Sequence, residues 1–170
     1  KIDLHTHSTG SPDGGISVQQ YVQTIQSGAL DYIAVTDHDR IDIALAIQQE
    51  LGDQIIVGQE VTSSQGELVG LYLKEQVKPG QTAKQTAQAI RAQGGIVYVP
   101  HPFETVRKGM TKATLDNIVD LVDIVEVHNG RAFFQNKGPL AATWAKLNNK
   151  AIAASSDAHG VRGLGTTFST

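Results

Sequence analysis

KIDLHTHS (residues 1–8) is the stretch on which the reading of this chain turns. Residues 1–4 predict a short strand, and His5 and His7 follow two positions apart. Side chains alternate faces along extended backbone, so both imidazoles point to the same side. Such a pair has two explanations: packed histidines near the start of the chain, or half of a metal site. The remaining strands decide between them.

Beyond this opening the chain alternates strand-like and helix-like segments. Over Ser17–Ile25, Val18, Tyr21, Val22 and Ile25 share one helical face, with capping-box spacing at Ser17 and Gln20 and Gly28 suited to the C-terminal cap. A strand over 31–37 leads to a helix over about Ile41–Leu51, and a strand over 54–62 to a hairpin return over 66–73. A helix from about Thr82 to Gln93 stops at Gly94-Gly95. There follow the strand GIVYVPH (95–101), a helix around Thr114–Leu121, the strand DIVEVHN (123–129), a helix carrying Leu140, Trp144 and Leu147, and the strand AIAASSD (151–157). No repeat, low-complexity tract or linker divides the chain, so residues 1–170 are expected to form a single domain. Short, nearly continuous apolar strands alternating with helices imply an α/β fold with a parallel sheet covered by helices. An open doubly wound sheet and a closed barrel both satisfy that pattern.

The polar residues choose between them. Nearly every strand ends in groups that can hold a metal: His5 and His7, then Asp37-His38-Asp39, Glu60, His101, His128, and Asp157 with His159. All six histidines of the chain sit at or just past a predicted strand's C-terminal end. In a βα barrel those ends form one face, where active sites are built. An open sheet would spread the same groups along an edge. Glu60 adds to the argument, because it follows IIVGQ where a strand is still half buried, and a buried carboxylate needs a cation or a hydrogen-bonding partner. Taken singly, each group has an ordinary structural reading as a cap, a turn or a solvated side chain. Together they favour one multi-metal site in a barrel.

Composition sets the outer limits. A hydrophobic fraction of 40% and a charged fraction of 18% are those of a water-soluble globular protein, and the net charge of −3 offers no basic field for nucleic acid. Aromatic residues are only 5% of the chain, too few for a stacking platform. No apolar run is long enough to span a membrane and the stretch from Lys1 carries no signal-peptide pattern, so a cytoplasmic protein with no obvious protein partner is expected. Cysteine is absent, which confines any metal site to imidazole and carboxylate and leaves Zn, Mn and Fe all admissible.

The motifs DLHTHS (3–8), TDHD (36–39), GQEV (58–61), PHPF (100–103) and SDAH (156–159), in that order, closely resemble those of the PHP family, the polymerase and histidinol phosphatase superfamily of phosphoesterases. That resemblance implies a distorted (β/α)7 TIM-like barrel holding two or three divalent metal ions at its C-terminal face. It assigns His5, His7, Glu60 and Asp157 to a first metal, with Glu60 bridging to a second that His101 also binds. A third would take His38, His159 and Asp13 of SPDG. Asp37 and Asp3 would stand behind the ligands, accepting an imidazole N–H and fixing its tautomer.

Two positions depart from the family pattern. Glu67 of GELVGL stands where many members place a histidine, so a carboxylate would either complete the second site, making it harder and more Mn- or Mg-like, or leave that site weakened. His128 of EVHNGR stands where members more often carry an aromatic or aliphatic residue; it would contact substrate or transfer a proton, or else merely lie close to the cluster. Clustered divalent ions suit phosphate-ester hydrolysis because they acidify a bridging water, neutralise phosphoryl oxygens and stabilise the departing alkoxide. Arg107, Lys108, Arg131 and Arg162 fall in loops at the same face; Arg131, immediately after a strand end, is the first choice for gripping phosphate. The expected substrate is a small phosphate ester or the end of a short oligonucleotide. Two other readings stand beside this one: an amidohydrolase-type C–N hydrolase, which also uses His-x-His after a first barrel strand, and a metal-stabilised PHP module without catalysis.

Overall fold

Among the described residues seven strands lie side by side in the order of the sequence: β1 Ile2–Asp3, β2 Tyr32–Val35, β3 Ile55–Ser63, β4 Gly66–Leu71, β5 Ile96–Val99, β6 Ile124–Asn129 and β7 Ala151–Ser155. The structure, a computed structural model, describes residues 1–133 and 135–170. Within these described residues five α-helices connect and cover the strands: α1 Val18–Gln26, α2 Asp42–Leu51, α3 Ala83–Ala92, α4 Lys112–Asn117 and α5 Gly138–Leu147. The sheet is parallel except at β4, which runs antiparallel to both β3 and β5. Here the two-residue link Ser64-Gln65 makes a hairpin, and no crossover helix is needed. Past its last strand the sheet turns back on its first: Thr6 bridges Ala158, and the His7 N–H donates to the Ala158 carbonyl at 2.8 Å. At the other end of this seam Ser169 exchanges backbone bonds with Ile2, both at 2.9 Å. The result is a nearly closed, distorted barrel.

Local signals set the helix ends. Ser17 with Gln20, and Thr82 with Gln85, form reciprocal capping boxes on α1 and α3. Gly28 follows α1 with a φ of +71°, a conformation that suits glycine. Two details differ from the sequence expectation. The helix around Thr114–Leu121 is divided into α4 and a short 3₁₀ turn over Val119–Leu121. On α5 the small Ala141 and Ala145 let the helix approach the sheet alongside Trp144, leaving Leu140 and Leu147 exposed.

Alternation along the strands splits the apolar residues into two layers. Ile33, Val35, Ile55, Val57, Val97 and Val99 face the helices and join Tyr21, Ile47, Ile90 and Trp144. Ala34, Ile56, Tyr98 and Ala153 face inward and fill the barrel with Leu4, Val69 and Leu71. Continuing the inward row by twos carries β3 from Ile56 to Glu60, so the period that builds the core aims this carboxylate at the top of the barrel. Asp157 follows the end of β7 at Ser155 in a left-handed backbone conformation (φ +50°), so a turn brings it there. Among the described residues no helix is long and apolar enough to cross a membrane.

Candidate metal centre

Glu60 is the hub of the site. One of its oxygens, Oε2, lies 3.2 Å from His5 Nε2, 3.2 Å from His7 Nε2 and 3.4 Å from His38 Nδ1. The other, Oε1, lies 3.0 Å from His101 Nε2. Asp157 Oδ1 closes the first group, 3.6 Å from His5 Nε2 and 3.4 Å from His7 Nε2. Glu67 sits between His101 and His38, with one oxygen 3.9 Å from each ring. Asp13 reaches in from the early loop, 3.0 Å from His159 Nε2 and 3.7 Å from His38 Nε2. Among the described residues four overlapping groups come close enough to share an ion: His5, His7 and Glu60; His5, His101 and Asp157; Glu60, Glu67 and His101; and His7, His38 and His159, the last of which Asp13 also approaches.

A buried atom without a partner shows what this arrangement lacks. His7 Nε2 makes no hydrogen bond, although two carboxylate oxygens stand close to it. Its other ring nitrogen, Nδ1, lies 3.0 Å from Ser11 Oγ. That hydroxyl has already donated its proton to Asp37 Oδ1 at 3.0 Å, so it accepts the Nδ1–H. In its neutral form His7 therefore turns a bare lone pair toward two anionic oxygens, an arrangement that calls for a cation between them, either a metal ion or a proton on Nε2 itself. Nitrogen and oxygen donors in these clusters fit a divalent metal.

The electrostatics separate the histidines into two kinds. Burial alone would lower His5 and His7, but Asp157 and Glu60 outweigh it; His5 is held well above its ordinary value and His7 is raised to about 9. His159 goes the other way, pushed down to about 4 by burial and by the charge on His7, and His38 is lowered chiefly by burial. Glu67 is raised to about 7 by burial and by its neighbour Glu60. Glu60 is held well below the usual carboxylate range: burial opposes its charge, but the surrounding imidazoles prevail.

The other candidates fall into different places. Arg131 lines the open pocket, its Nη1 2.7 Å from His159 Nδ1 and 3.6 Å from Asp157 Oδ1. Arg107 is more deeply engaged than the sequence suggests: it donates to Asp157 Oδ2 at 2.7 Å and to Asn129 Oδ1 at 2.6 Å, and pairs with Glu104. Asp37 is buried behind Ser8 and Ser11, so it orders the His7 loop and does not face the pocket. Asp3 accepts the backbone N–H of Ser156 at 3.0 Å and of His5 at 3.4 Å, where an imidazole partner was expected. His128 is the clearest correction. It is solvent-exposed and lies outside the pocket. A register shift in β6 between Glu126 and His128 breaks the alternation, so Glu126 faces inward and His128 outward. Glu126, Asn129 and Arg107 are the site residues that sequence reasoning underrates; only the length of the 101–110 loop and the acidic residue in an apolar strand hint at them.

That loop tolerates little change. An added Cβ on Gly109 would meet the His101 carbonyl at 2.3 Å and the Glu104 carbonyl at 2.7 Å. Gly109→Ala is expected to destabilise the fold by about 1–3 kcal/mol through overpacking. Thermal unfolding checks this, and an unchanged midpoint would show that the loop yields freely.

Comparison with known proteins bears on the fold and the family. An uncharacterised protein of Methanocaldococcus jannaschii is 30% identical over 143 residues, covering 76% of this chain and 81% of its own length. A second uncharacterised protein of that organism is 27% identical over 177 residues, covering 99% of this chain and 69% of its own. Among solved structures, a two-domain Bacteroides vulgatus protein containing a predicted PHP-like metal-dependent phosphoesterase superposes with a TM-score of 0.78 at 20% identity. The match takes in 94% of this chain but 52% of that protein, so the chain spans about half its length. A Bifidobacterium adolescentis protein assigned as a metal-dependent phosphoesterase gives 0.76 at 16% identity, covering 99% and 92% of the two chains. A Chromobacterium violaceum amidohydrolase gives 0.73 at 16% identity, covering 98% and 90%. These structural likenesses establish the fold. The family model of the PHP domain matches residues 3–164, a span that takes in every strand end described above, and the chain belongs to the PHP domain family.

Proposed function

We infer that the chain is a metal-dependent phosphoesterase, hydrolysing a phosphomonoester or the phosphate ester at the end of a short oligonucleotide. The observation that carries this reading is the position of Glu60. Its two oxygens divide between neighbouring histidine groups inside an open pocket of about 230 Å³ that Arg107, Lys108 and Arg131 also line. His5, His7, Glu60 and Asp157 would hold one divalent ion, Glu60, Glu67 and His101 a second, and Asp13, His38 and His159 a third. Ions bound there supply Lewis acidity, which acidifies water and offsets charge on the phosphoryl group.

The chain's own side chains orient the ester. Arg131 is 41% exposed, and its guanidinium presents donors to the pocket beside His159, a geometry suited to phosphoryl oxygens. Arg107 is committed to Asp157, Glu104 and Asn129, so it fixes a ligand and leaves the grip on substrate to Arg131. Lys108, 3.8 Å from Glu67, adds positive charge at the rim. Support also comes from the structural neighbours assigned as phosphoesterases, and from the Chromobacterium violaceum protein, whose structure holds a bound sulfate, a tetrahedral oxyanion like phosphate. That same protein, named an amidohydrolase, favours C–N hydrolysis as a second reading. Assays on a dihydropyrimidine and an amino-acid amide separate the two.

Protein loaded with Mn²⁺ or Zn²⁺ is expected to release phosphate from a generic aryl phosphate, and a chelator to abolish the activity. Asp157→Asn is expected to remove metal and activity together, since Asp157 Oδ1 stands against both His5 and His7. Metal-replete protein inactive on monoesters, diesters and nucleotides alike would overturn the phosphoesterase reading. Full metal content in the Asp157 variant would overturn the ligand assignment.

A further inference from the structure

Strand β6 contributes no candidate ligand, yet two of its side chains touch three of them. Glu126 is buried at 2% exposure. Its Oε1 lies 3.3 Å from His5 Nδ1 and accepts from the Tyr98 hydroxyl at 2.7 Å. Its Oε2 accepts from the His101 backbone N–H at 2.6 Å and from Asn129 Nδ2 at 2.8 Å. Asn129 uses its second amide proton on Asp157 Oδ2 at 3.2 Å.

We propose that Glu126 is a positioning residue that fixes two ligands at once: it selects the nitrogen that His5 presents to the metal, and it pins the backbone of His101. The proposal rests on the metal-centre reading above. An ionised carboxylate can only accept, and Glu126 meets four donors, two on each oxygen. His5 must therefore offer it Nδ1–H, so that when the ring gives up its other proton to bind a metal the lone pair is on Nε2, the atom 3.2 Å from Glu60. On the other arm, His101 has a φ of +29°, a backbone state that L residues rarely adopt. The bond from its N–H to Glu126 holds it there, with Nε2 turned toward Glu60 Oε1. One carboxylate thus ties the ligand after β1 to the ligand after β5. The bulge in β6 is what makes this possible, because it turns Glu126 and Asn129 inward while His128 faces solvent.

Glu126→Gln tests the idea, because the amide fills the same space with one acceptor and two donors. Wherever its nitrogen lies, an N–H faces a group that now donates. If it faces His5, the imidazole must move its proton to Nε2 and lose the ligating lone pair. Titration with Co²⁺, followed by visible absorption, is expected to show the first-bound ion weakened about 10- to 100-fold, the range for residues that orient metal ligands. The ligand-field bands should shift as well, a change that lost packing alone does not produce. Tyr98→Phe removes one donor to Glu126 but spares the contact with His5, and should bind Co²⁺ within about threefold of wild type, as expected for an effect that stays below one typical hydrogen bond. Wild-type affinity and spectrum in Glu126→Gln would overturn the proposal, and so would an equal loss in Tyr98→Phe. Should Glu126→Gln fail to fold, Glu126→Asp keeps the charge but shortens its reach; intermediate Co²⁺ affinity supports the proposal and wild-type affinity overturns it. Absence of Co²⁺ binding by the wild-type protein would instead sink the metal-centre reading itself.

Discussion

Replacing Glu60 by glutamine is expected to disable the site more completely than any other single isosteric change. Residues that only orient a metal ligand typically cost 10- to 100-fold in affinity when changed, and Glu60 contacts four imidazoles directly, so a loss beyond about 100-fold is expected. Phosphate release should fall at least in proportion. The metal-free protein should also suffer, because Glu60 is the anion that His5, His7 and His101 share. Removing one partner of a buried charge pair costs roughly 3–5 kcal/mol, and an imidazole limits that loss by shedding its proton, so about 2–3 kcal/mol is expected here. Elemental analysis, competition with a chromophoric chelator and denaturant unfolding read these effects separately. A Glu60→Gln protein with a full metal complement and wild-type affinity would refute the bridging role.

How much of this was legible in the sequence depended on whether the signal was periodic. The capping box at Ser17 and Gln20, the stop at Gly28 and the hairpin at GELVGL are local patterns, and each lies where the sequence places it. The convergence of His5, His7, His38, Glu60, His101, Asp157 and His159 followed from one rule, that parallel strand ends share a face. Where the backbone leaves its period, sequence reasoning failed. The β6 bulge turns Glu126 in and His128 out, reversing which of the two belongs to the site. Arg107 was no more than one basic loop residue among several, because nothing local shows that the 101–110 loop folds its guanidinium onto Asp157. Asp3 was expected to meet an imidazole and instead holds backbone N–H groups, a distinction that depends on a turn of the chain after β1.

The two kinds of histidine lead to a pH dependence with opposite signs for the empty and the loaded protein. His5 and His7 have folded-state pKa values above the unfolded value, His7 at about 9. Their contribution to the metal-free fold is therefore fully present below about pH 6.5, the unfolded histidine value, and is lost as pH rises through the folded values. Glu60 and Asp157 are depressed, so their contribution is present above the unfolded carboxylate range and is lost in acid. The metal-free protein is thus expected to gain most from this cluster between about pH 5 and 6.5, and to weaken toward pH 9. Metal binding runs the other way, because a ligating imidazole must be neutral. At pH 7 the first ion must displace protons from both His5 and His7, so its affinity should rise by about two orders of magnitude per pH unit, one for each proton released. His38 and His159 are lowered, His159 to about 4, and bring no such requirement near neutrality. An ion held by these two with Asp13 should bind with nearly constant affinity from about pH 7 to 8, above the ordinary imidazole value from which both rings are lowered. Calorimetry in buffers of different ionisation enthalpy counts the protons directly. Release of about two protons with the first ion, and a metal-free unfolding midpoint that falls from pH 6.5 to 9, are the expected results. Proton-independent binding at every position would show that His5 and His7 are neutral in the empty site, and that the carboxylates around them do not hold them charged.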